Sequence, residues 1–282
     1  MFTRKKENVM KKKNVTYESK KKGRKKIGLI ILGAVLAIGS IVGSTVGVIS
    51  SKNVKAMDSC VDAVLTELQK HYTVTPMDTG EYKEMKLFGI MKFHVEQYDI
   101  EELGNLSIMR TNMGVMQMAT VVITPKDKNL PLLSADYMYI LSNRKSYLEF
   151  YDVVKEKDEN YEQLLNALSN VLNNYEYLEK VETSPAWYQH LLTVTAYKGG
   201  SFDEDKALEG MLVDSLAVYL KHGKQLPLLS EEEKQEKISI TMGYTDGLIE
   251  KGGISTDVFK KELGEEETKK FFDNVFFGTI VE

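Results

Sequence analysis

The chain is poor in the residue types that form the commonest metal and catalytic centres. Its 282 residues include one cysteine, five prolines, one tryptophan and four scattered histidines, His71, His94, His190 and His222. No two of these histidines have metal-ligand spacing, and the chain has no CxxC, HExxH or GxSxG motif and no phosphate-binding glycine loop. The single Cys60 excludes an internal disulfide and leaves the redox compartment open. We therefore expect no bound metal.

Positive charge is concentrated at the N-terminus. Residues 1–26 contain twelve lysines or arginines against Glu7 and Glu18, a net charge of +10. Because the whole chain carries −4, residues 27–282 carry −14. Nucleic-acid-binding domains are usually basic, so this acidic remainder argues against a nucleic-acid partner.

Residues 27–50, IGLIILGAVLAIGSIVGSTVGVIS, carry no charge. The run exceeds the roughly 20 residues that cross a bilayer as a helix, and it predicts a transmembrane helix. A cleavable signal peptide is the alternative, because the order is basic, apolar, then polar. The length of the run and the lack of a small-x-small cleavage site favour an uncleaved anchor. Glycines four residues apart would permit a homodimer through this helix: Gly39, Gly43 and Gly47.

The charges flanking this run predict its orientation. Six basic residues lie just before it, against Lys52 and Lys55 after it. The positive-inside bias then places the basic tail, 1–26, in the cytoplasm and the C-terminal part outside it, as a single-pass membrane protein. A cytoplasmic domain is the alternative. Residues 55–282 have the length of one large domain.

The hydrophobic periodicity of residues 55–282 predicts an α+β fold. A helical stripe over 57–72 is followed by period-two segments at 86–98, 106–111, 115–124, 132–141 and 145–151. Because the connections between these strands are short, they should pair antiparallel. Helical patterns, with one strand at 190–198, then occupy 161–178, 205–220, the segment from the Ser230/Glu233 capping box to Gly252-Gly253, and 256–277. A central antiparallel sheet flanked by helices is the economical architecture.

Asp136 is the most informative residue of the predicted strand 132–141. The alternation places four side chains on one face of an otherwise apolar strand: Ser134, Asp136, Met138 and Ile140. A carboxylate among apolar neighbours tends to take up a proton, and a protonated carboxyl can act as a proton donor to a substrate. A structural aspartate bonded to a loop amide is the alternative at this point.

The surrounding motifs resemble the ferredoxin-dependent bilin reductases, the family of phycocyanobilin:ferredoxin oxidoreductase. The counterparts are VITP at 122–125 and LPLLSAD at 130–136. Upstream, LSIMRTNMG resembles a strand with a family arginine, matched by Arg110. Downstream, SPAW at 184–187 and DVFKKELGEEETKKFFDNVFFG at 257–278 resemble the opening of the second half and the closing helices.

This resemblance implies an α/β/α sandwich in which an open-chain, biliverdin-like tetrapyrrole lies between the sheet and the C-terminal helices. It also implies one-electron transfers from an external ferredoxin-like donor, no bound cofactor, and protonation of the substrate by Asp136. Arg110, Asn112 and Thr120 are the predicted substrate-binding residues, with Arg110 holding a propionate. A non-enzymatic tetrapyrrole-binding module and an interaction domain of the same fold are the alternatives.

The sequence departs from the family at three places. A family histidine or asparagine falls near Thr120, a glutamate of some members near Asn112, and an Asn-Asp pair near Gly252-Gly253. Asp136 is the clear match that remains. An acidic domain outside the cytoplasm would also meet no ferredoxin and would repel that acidic donor.

Overall fold

A nine-stranded antiparallel sheet forms the centre of the protein, which we describe from a computed structural model over residues 43–280. The strands are β1 (Val74–Met77), β2 (Glu84–Leu87), β3 (Met91–Ile100), β4 (Gly104–Asn112), β5 (Met116–Pro125), β6 (Leu132–Ile140), β7 (Asn143–Tyr151), β8 (Glu179–Lys180) and β9 (Leu192–Gly200). Their order is β1-β3-β4-β5-β6-β7-β9-β8, and β2 pairs with the other half of β3.

Six α-helices of the described residues pack around this sheet. They are α1 (Gly43–His71), α2 (Glu159–Asn173), α3 (Asp205–Gln225), α4 (Glu231–Lys251), α5 (Ile254–Leu263) and α6 (Glu265–Phe271), and α6 continues into a π-helix, Phe272–Phe276. The Ser230/Glu233 capping box opens α4 as predicted, and α4 ends where Gly252 adopts a positive φ of 81°.

In the part of the chain that the structure describes, two hydrophobic cores lie on opposite faces of the sheet. Side chains of α1, α2 and α3 pack on one face, which we call the α1 face. Side chains of α4, α5, α6 and the π-helix pack on the other, the α4 face. The predicted antiparallel sheet with flanking helices is therefore confirmed.

Some predicted boundaries were wrong. The single strand predicted at 86–98 is the β2–β3 hairpin, because the chain turns at Phe88 and Gly89, where φ is 50° and 69°. The single helix predicted at 256–277 is divided at Gly264, where φ is 85°. Strands β1 and β8 were not predicted, since four and two residues are too short for a periodic signal.

The predicted basic tail, 1–26, and the predicted transmembrane segment up to residue 42, with Gly39, lie outside the described residues. Between residues 43 and 280, no helix is long and apolar enough to span a bilayer. Helix α1 already contacts the sheet domain ahead of the predicted boundary at residue 55. Ser50 Oγ accepts a hydrogen bond from Gln117 at 3.1 Å, and the buried Asn53 donates to the Leu141 carbonyl at 3.1 Å.

Cys60 lies on α1, only 2% exposed in the core of the α1 face. Burial, with a contribution from the nearby Glu209 carboxylate, raises the pKa of its thiol to about 12. Because the thiolate is the reactive form, we expect no reaction with 5,5′-dithiobis(2-nitrobenzoate) in the folded protein at pH 8, and one equivalent per chain in guanidinium chloride. Stoichiometric reaction without denaturant would contradict this packing of α1.

Candidate functional site

Within residues 43–280, helices cover only part of the α4 face of the sheet. On β6, the side chains toward the α1 face are 0–4% exposed: Leu133, Ala135, Tyr137 and Tyr139. Of those toward the α4 face, Leu132 is buried and the four that follow are half-buried: Ser134, Asp136, Met138 and Ile140. The predicted alternation of this strand is thus correct. We call the half-buried region the open patch: Met118, Ser134, Asp136, Met138, Tyr147 and Glu149.

The strand register places Asp136 at the centre of this patch. Thr120 on β5 and Tyr147 on β7 are its direct cross-strand partners, and Tyr197 on β9 is the partner of Tyr147. The Thr120 hydroxyl donates a hydrogen bond to Asp136 Oδ1 at 2.5 Å. The predicted strand aspartate is therefore bonded to a neighbouring strand and not to a loop amide.

The carboxyl of Asp136 lies deep among protein atoms although its side chain keeps some exposure. Burial raises its pKa from 3.8 to about 6, the Thr120 hydrogen bond acts in the opposite direction, and the charge of Glu149 raises it further. A carboxyl with a pKa near 6 exchanges its proton readily near neutral pH. This is the property that a general acid needs.

Aromatic side chains border the open patch on the side of α4. Tyr244 of α4 is buried, with its ring 4.9 Å from that of Tyr151 and 6.0 Å from that of Tyr188. Trp187 lies 6.1 Å from the Tyr244 ring, and its indole N–H donates to the Gly252 carbonyl at 2.9 Å. The predicted SPAW segment thus contributes to this border.

Two of the predicted binding residues lie elsewhere. Arg110 points to the α1 face, where its guanidinium binds Glu96 at 2.8 Å and Asp58 of α1 at 3.3 Å. The Asn112 carboxamide oxygen accepts from Gln117 Nε2 at 2.8 Å beside the β4–β5 turn. Of the three residues, the structure brings only Thr120 to Asp136. Met109 of β4 points to the α4 face. Because side chains alternate along a strand, Arg110 and Asn112 point to the α1 face.

Other groups of this site had not been predicted: Tyr147, Glu149, Tyr151, Tyr188, Tyr197 and Tyr244. The alternation of β7, with Tyr147, Glu149 and Tyr151 on one face, was the available signal. Among residues 43–280, no group of three His, Cys, Asp or Glu side chains is placed to hold a metal ion.

The raised pKa of Asp136 predicts a pH-dependent effect on stability. Because the pKa of Asp136 is raised in the folded state, ionisation of this carboxyl lowers the free energy of unfolding. This loss is absent below pH 3.8 and complete above about pH 6. The difference of about 2 pH units corresponds to about 3 kcal/mol. We expect Asp136→Asn to unfold like the wild type at pH 4 and to be more stable by up to about 3 kcal/mol at pH 8.

Denaturant unfolding at a series of pH values measures this difference. Asp62→Asn, at an exposed position of α1, is the matched control and should differ little from the wild type at any pH. A pH-independent difference for Asp136→Asn, or a loss of stability at pH 8, would contradict the assignment.

The comparisons with known proteins give a fold relationship. No protein-family profile matches the chain, and no curated protein sequence matches it. Among solved structures, the chain is similar to phytochromobilin synthase from tomato in complex with biliverdin, with a TM-score of 0.64 and 13% sequence identity. The match covers 79% of this chain and 83% of that one. At this identity the likeness establishes a shared fold.

Proposed function

We propose that this protein is a bilin-reductase-like oxidoreductase that binds a linear, biliverdin-like tetrapyrrole against the open patch. The observation that carries the proposal is Asp136, a half-buried residue whose carboxyl has a raised pKa, on the partly uncovered face of this fold. Two further features support it. The solved structure of similar fold was determined with biliverdin, and aromatic rings border the patch, as a flat conjugated ligand requires.

In this proposal Asp136 supplies a proton to the tetrapyrrole during its reduction. Saturating one double bond takes two electrons and two protons. An external one-electron iron–sulfur donor, of the ferredoxin class, supplies the electrons singly. Asp136 gives a proton to the ligand as negative charge develops on it and recovers one from solvent, which also supplies the second proton. The Thr120 hydroxyl donates a hydrogen bond to Oδ1 of Asp136 and holds this carboxyl group in place.

The membrane assignment is a further part of the proposal. We propose that residues 27–50 anchor the protein as a single helix, with dimerisation through Gly39, Gly43 and Gly47. If the charge bias sets the orientation, the domain lies outside the cytoplasm and requires a donor other than ferredoxin. Protease added to intact cells distinguishes the two orientations, because only an outward domain is digested.

A second candidate function is tetrapyrrole binding without reduction. It is favoured by the residue opposite Asp136, since the Thr120 hydroxyl is not a strong acid and the family has a histidine or asparagine there. Gly252 and Gly253 likewise occupy the place of the Asn-Asp pair of some members. These residues are expected in a fold that keeps the ligand-binding site and Asp136 but has lost the other polar groups that assist proton transfer.

Titration of the full-length protein with biliverdin tests the proposal. The sole tryptophan, Trp187, borders the site, so its emission should be quenched in a saturable way as the visible spectrum of the ligand changes. Chemical or enzymatic reduction should then bleach the bound ligand. Binding without bleaching under any one-electron donor would favour the second candidate. No binding of any linear or cyclic tetrapyrrole would leave an interaction domain.

A further inference from the structure

Glu149 is a second carboxylate on the open patch, and both of its oxygens accept hydrogen bonds from tyrosines. The Tyr197 hydroxyl of β9 donates to Oε1 at 2.8 Å, and the Tyr151 hydroxyl of β7 donates to Oε2 at 2.5 Å. An ionised carboxylate accepts on both oxygens, whereas a protonated one must use one oxygen as a donor. Two donors from two positions of the sheet therefore hold the Glu149 carboxylate in a fixed orientation.

The register makes Glu149 and Asp136 diagonal neighbours. Asp136 is paired with Tyr147, and Glu149 follows two residues along β7, opposite Ser134. Diagonal pairs on one face of a sheet have Cα separations of about 7–8 Å, which longer side chains can bridge. The two carboxyl groups thus share the same partly buried surface, where charges are screened less than in water.

Apart from Lys145, the polar groups around this pair are hydroxyls of threonine and tyrosine. They come from every element packed there: Thr120 of β5, Tyr147 and Tyr151 of β7, Tyr197 of β9, Tyr188 of the preceding segment and Tyr244 of α4. Burial raises the pKa of Tyr147, Tyr151, Tyr197 and Tyr244, which keeps these hydroxyls protonated. The exposed Lys145 lies opposite Met138 and is the diagonal neighbour of Asp136 on the other side of Tyr147. Because Lys145 is exposed, its charge is screened more strongly than that of the half-buried Glu149.

We propose that Glu149 is a positioning residue for Asp136, an anion fixed by Tyr151 and Tyr197 whose charge keeps a proton on Asp136 available near neutral pH. The inference rests on the proposed function, in which Asp136 is the proton donor. Burial is the largest cause of the raised pKa of Asp136, and the charge of Glu149 adds to it. Without this second negative charge, Asp136 would ionise at a lower pH. The charge of Glu149 raises the pKa of Asp136, which is the direction that this role requires.

The test measures the titration of Asp136 in ligand-free protein, so that it stands apart from any failure to bind a tetrapyrrole. The midpoint is read from the difference in stability that Asp136→Asn produces as pH is varied, first in the wild-type background and again in the Glu149→Gln background. We expect the midpoint to fall by at least about 0.5 pH units in Glu149→Gln. A midpoint that does not fall overturns the inference.

Tyr197→Phe separates charge from packing, since it removes one hydrogen bond and keeps the Glu149 carboxylate. We expect the Asp136 midpoint to stay raised in Tyr197→Phe, whereas a fall as large as in Glu149→Gln would overturn the role of the charge. If Glu149→Gln does not fold, carboxyl carbon NMR of the wild type replaces it. A charged Glu149 carboxylate at pH 7 is the expected result, and a protonated one overturns the inference.

Discussion

Replacing Asp136 by asparagine is expected to leave biliverdin binding within a few-fold of the wild type and to slow its reduction by about 10²- to 10⁴-fold, the usual contribution of a general acid. Asparagine is nearly isosteric and keeps an oxygen that can accept the Thr120 hydrogen bond, so the open patch should retain its shape. It has no proton to give at neutral pH. Single-turnover absorption spectroscopy under anaerobic conditions, with a reduced ferredoxin-class donor in excess, measures the rate.

The matched control is Asp62→Asn, which changes an exposed carboxyl on α1. It should reduce biliverdin at the wild-type rate. Equal rates for Asp136→Asn and Asp62→Asn would remove Asp136 from the chemistry, whatever the protein binds. A loss of binding equal to the loss of rate would instead make Asp136 a ligand-binding residue.

The second large effect is expected at Arg144, which attaches β7 to the start of α3. Its side chain is 1% exposed, and its guanidinium meets Asp205 through two bonds, Nε–Oδ1 at 2.5 Å and Nη2–Oδ2 at 3.1 Å. The guanidinium also lies 4.4 Å from the Phe202 ring centroid and 5.0 Å from that of Tyr139. We expect Arg144→Met to lower the free energy of unfolding by about 3 kcal/mol, because it breaks an ion pair in which the guanidinium is buried and Asp205 is 24% exposed.

Denaturant unfolding at pH 7 measures this loss, with Lys145→Met as the matched control. Lys145 is the next residue of β7 and is exposed, so its replacement should change stability by less than about 0.5 kcal/mol. Asp205→Asn should also be costly, since it leaves the guanidinium buried without its anion. The double variant Arg144→Met/Asp205→Asn should lose less than the two single losses together. Additive losses would contradict direct coupling.

Sequence periodicity was sufficient to predict the antiparallel sheet with flanking helices and the strand face on which Asp136 lies. The alternation of 132–141 placed Asp136 on the less apolar face, and the structure has that face half-buried. The capping box at Ser230 and the glycines at 252–253 gave the ends of α4. The turn at Phe88 was missed because a non-glycine residue there adopts a positive φ, which composition does not reveal.

The partners of Asp136 were harder to predict because they depend on register between strands. Tyr197 reaches Glu149 across a connection that contains α2, and Tyr244 comes from α4, about a hundred residues after Asp136. Alternation within one strand fixes relative faces only inside that strand. This is why Arg110, near Asp136 in the motif order, was expected at the site and instead pairs with Asp58 on the α1 face.

The central claim is that Asp136 exchanges a proton with a bound linear tetrapyrrole. The most direct measurement is the visible absorption spectrum of biliverdin bound to the full-length protein, followed against pH in the wild type and in Asp136→Asn. We expect a protonated, red-shifted ligand in the wild type, with a transition on raising the pH that is absent or moved to lower pH in Asp136→Asn. Identical spectra and transitions in the two proteins would contradict it.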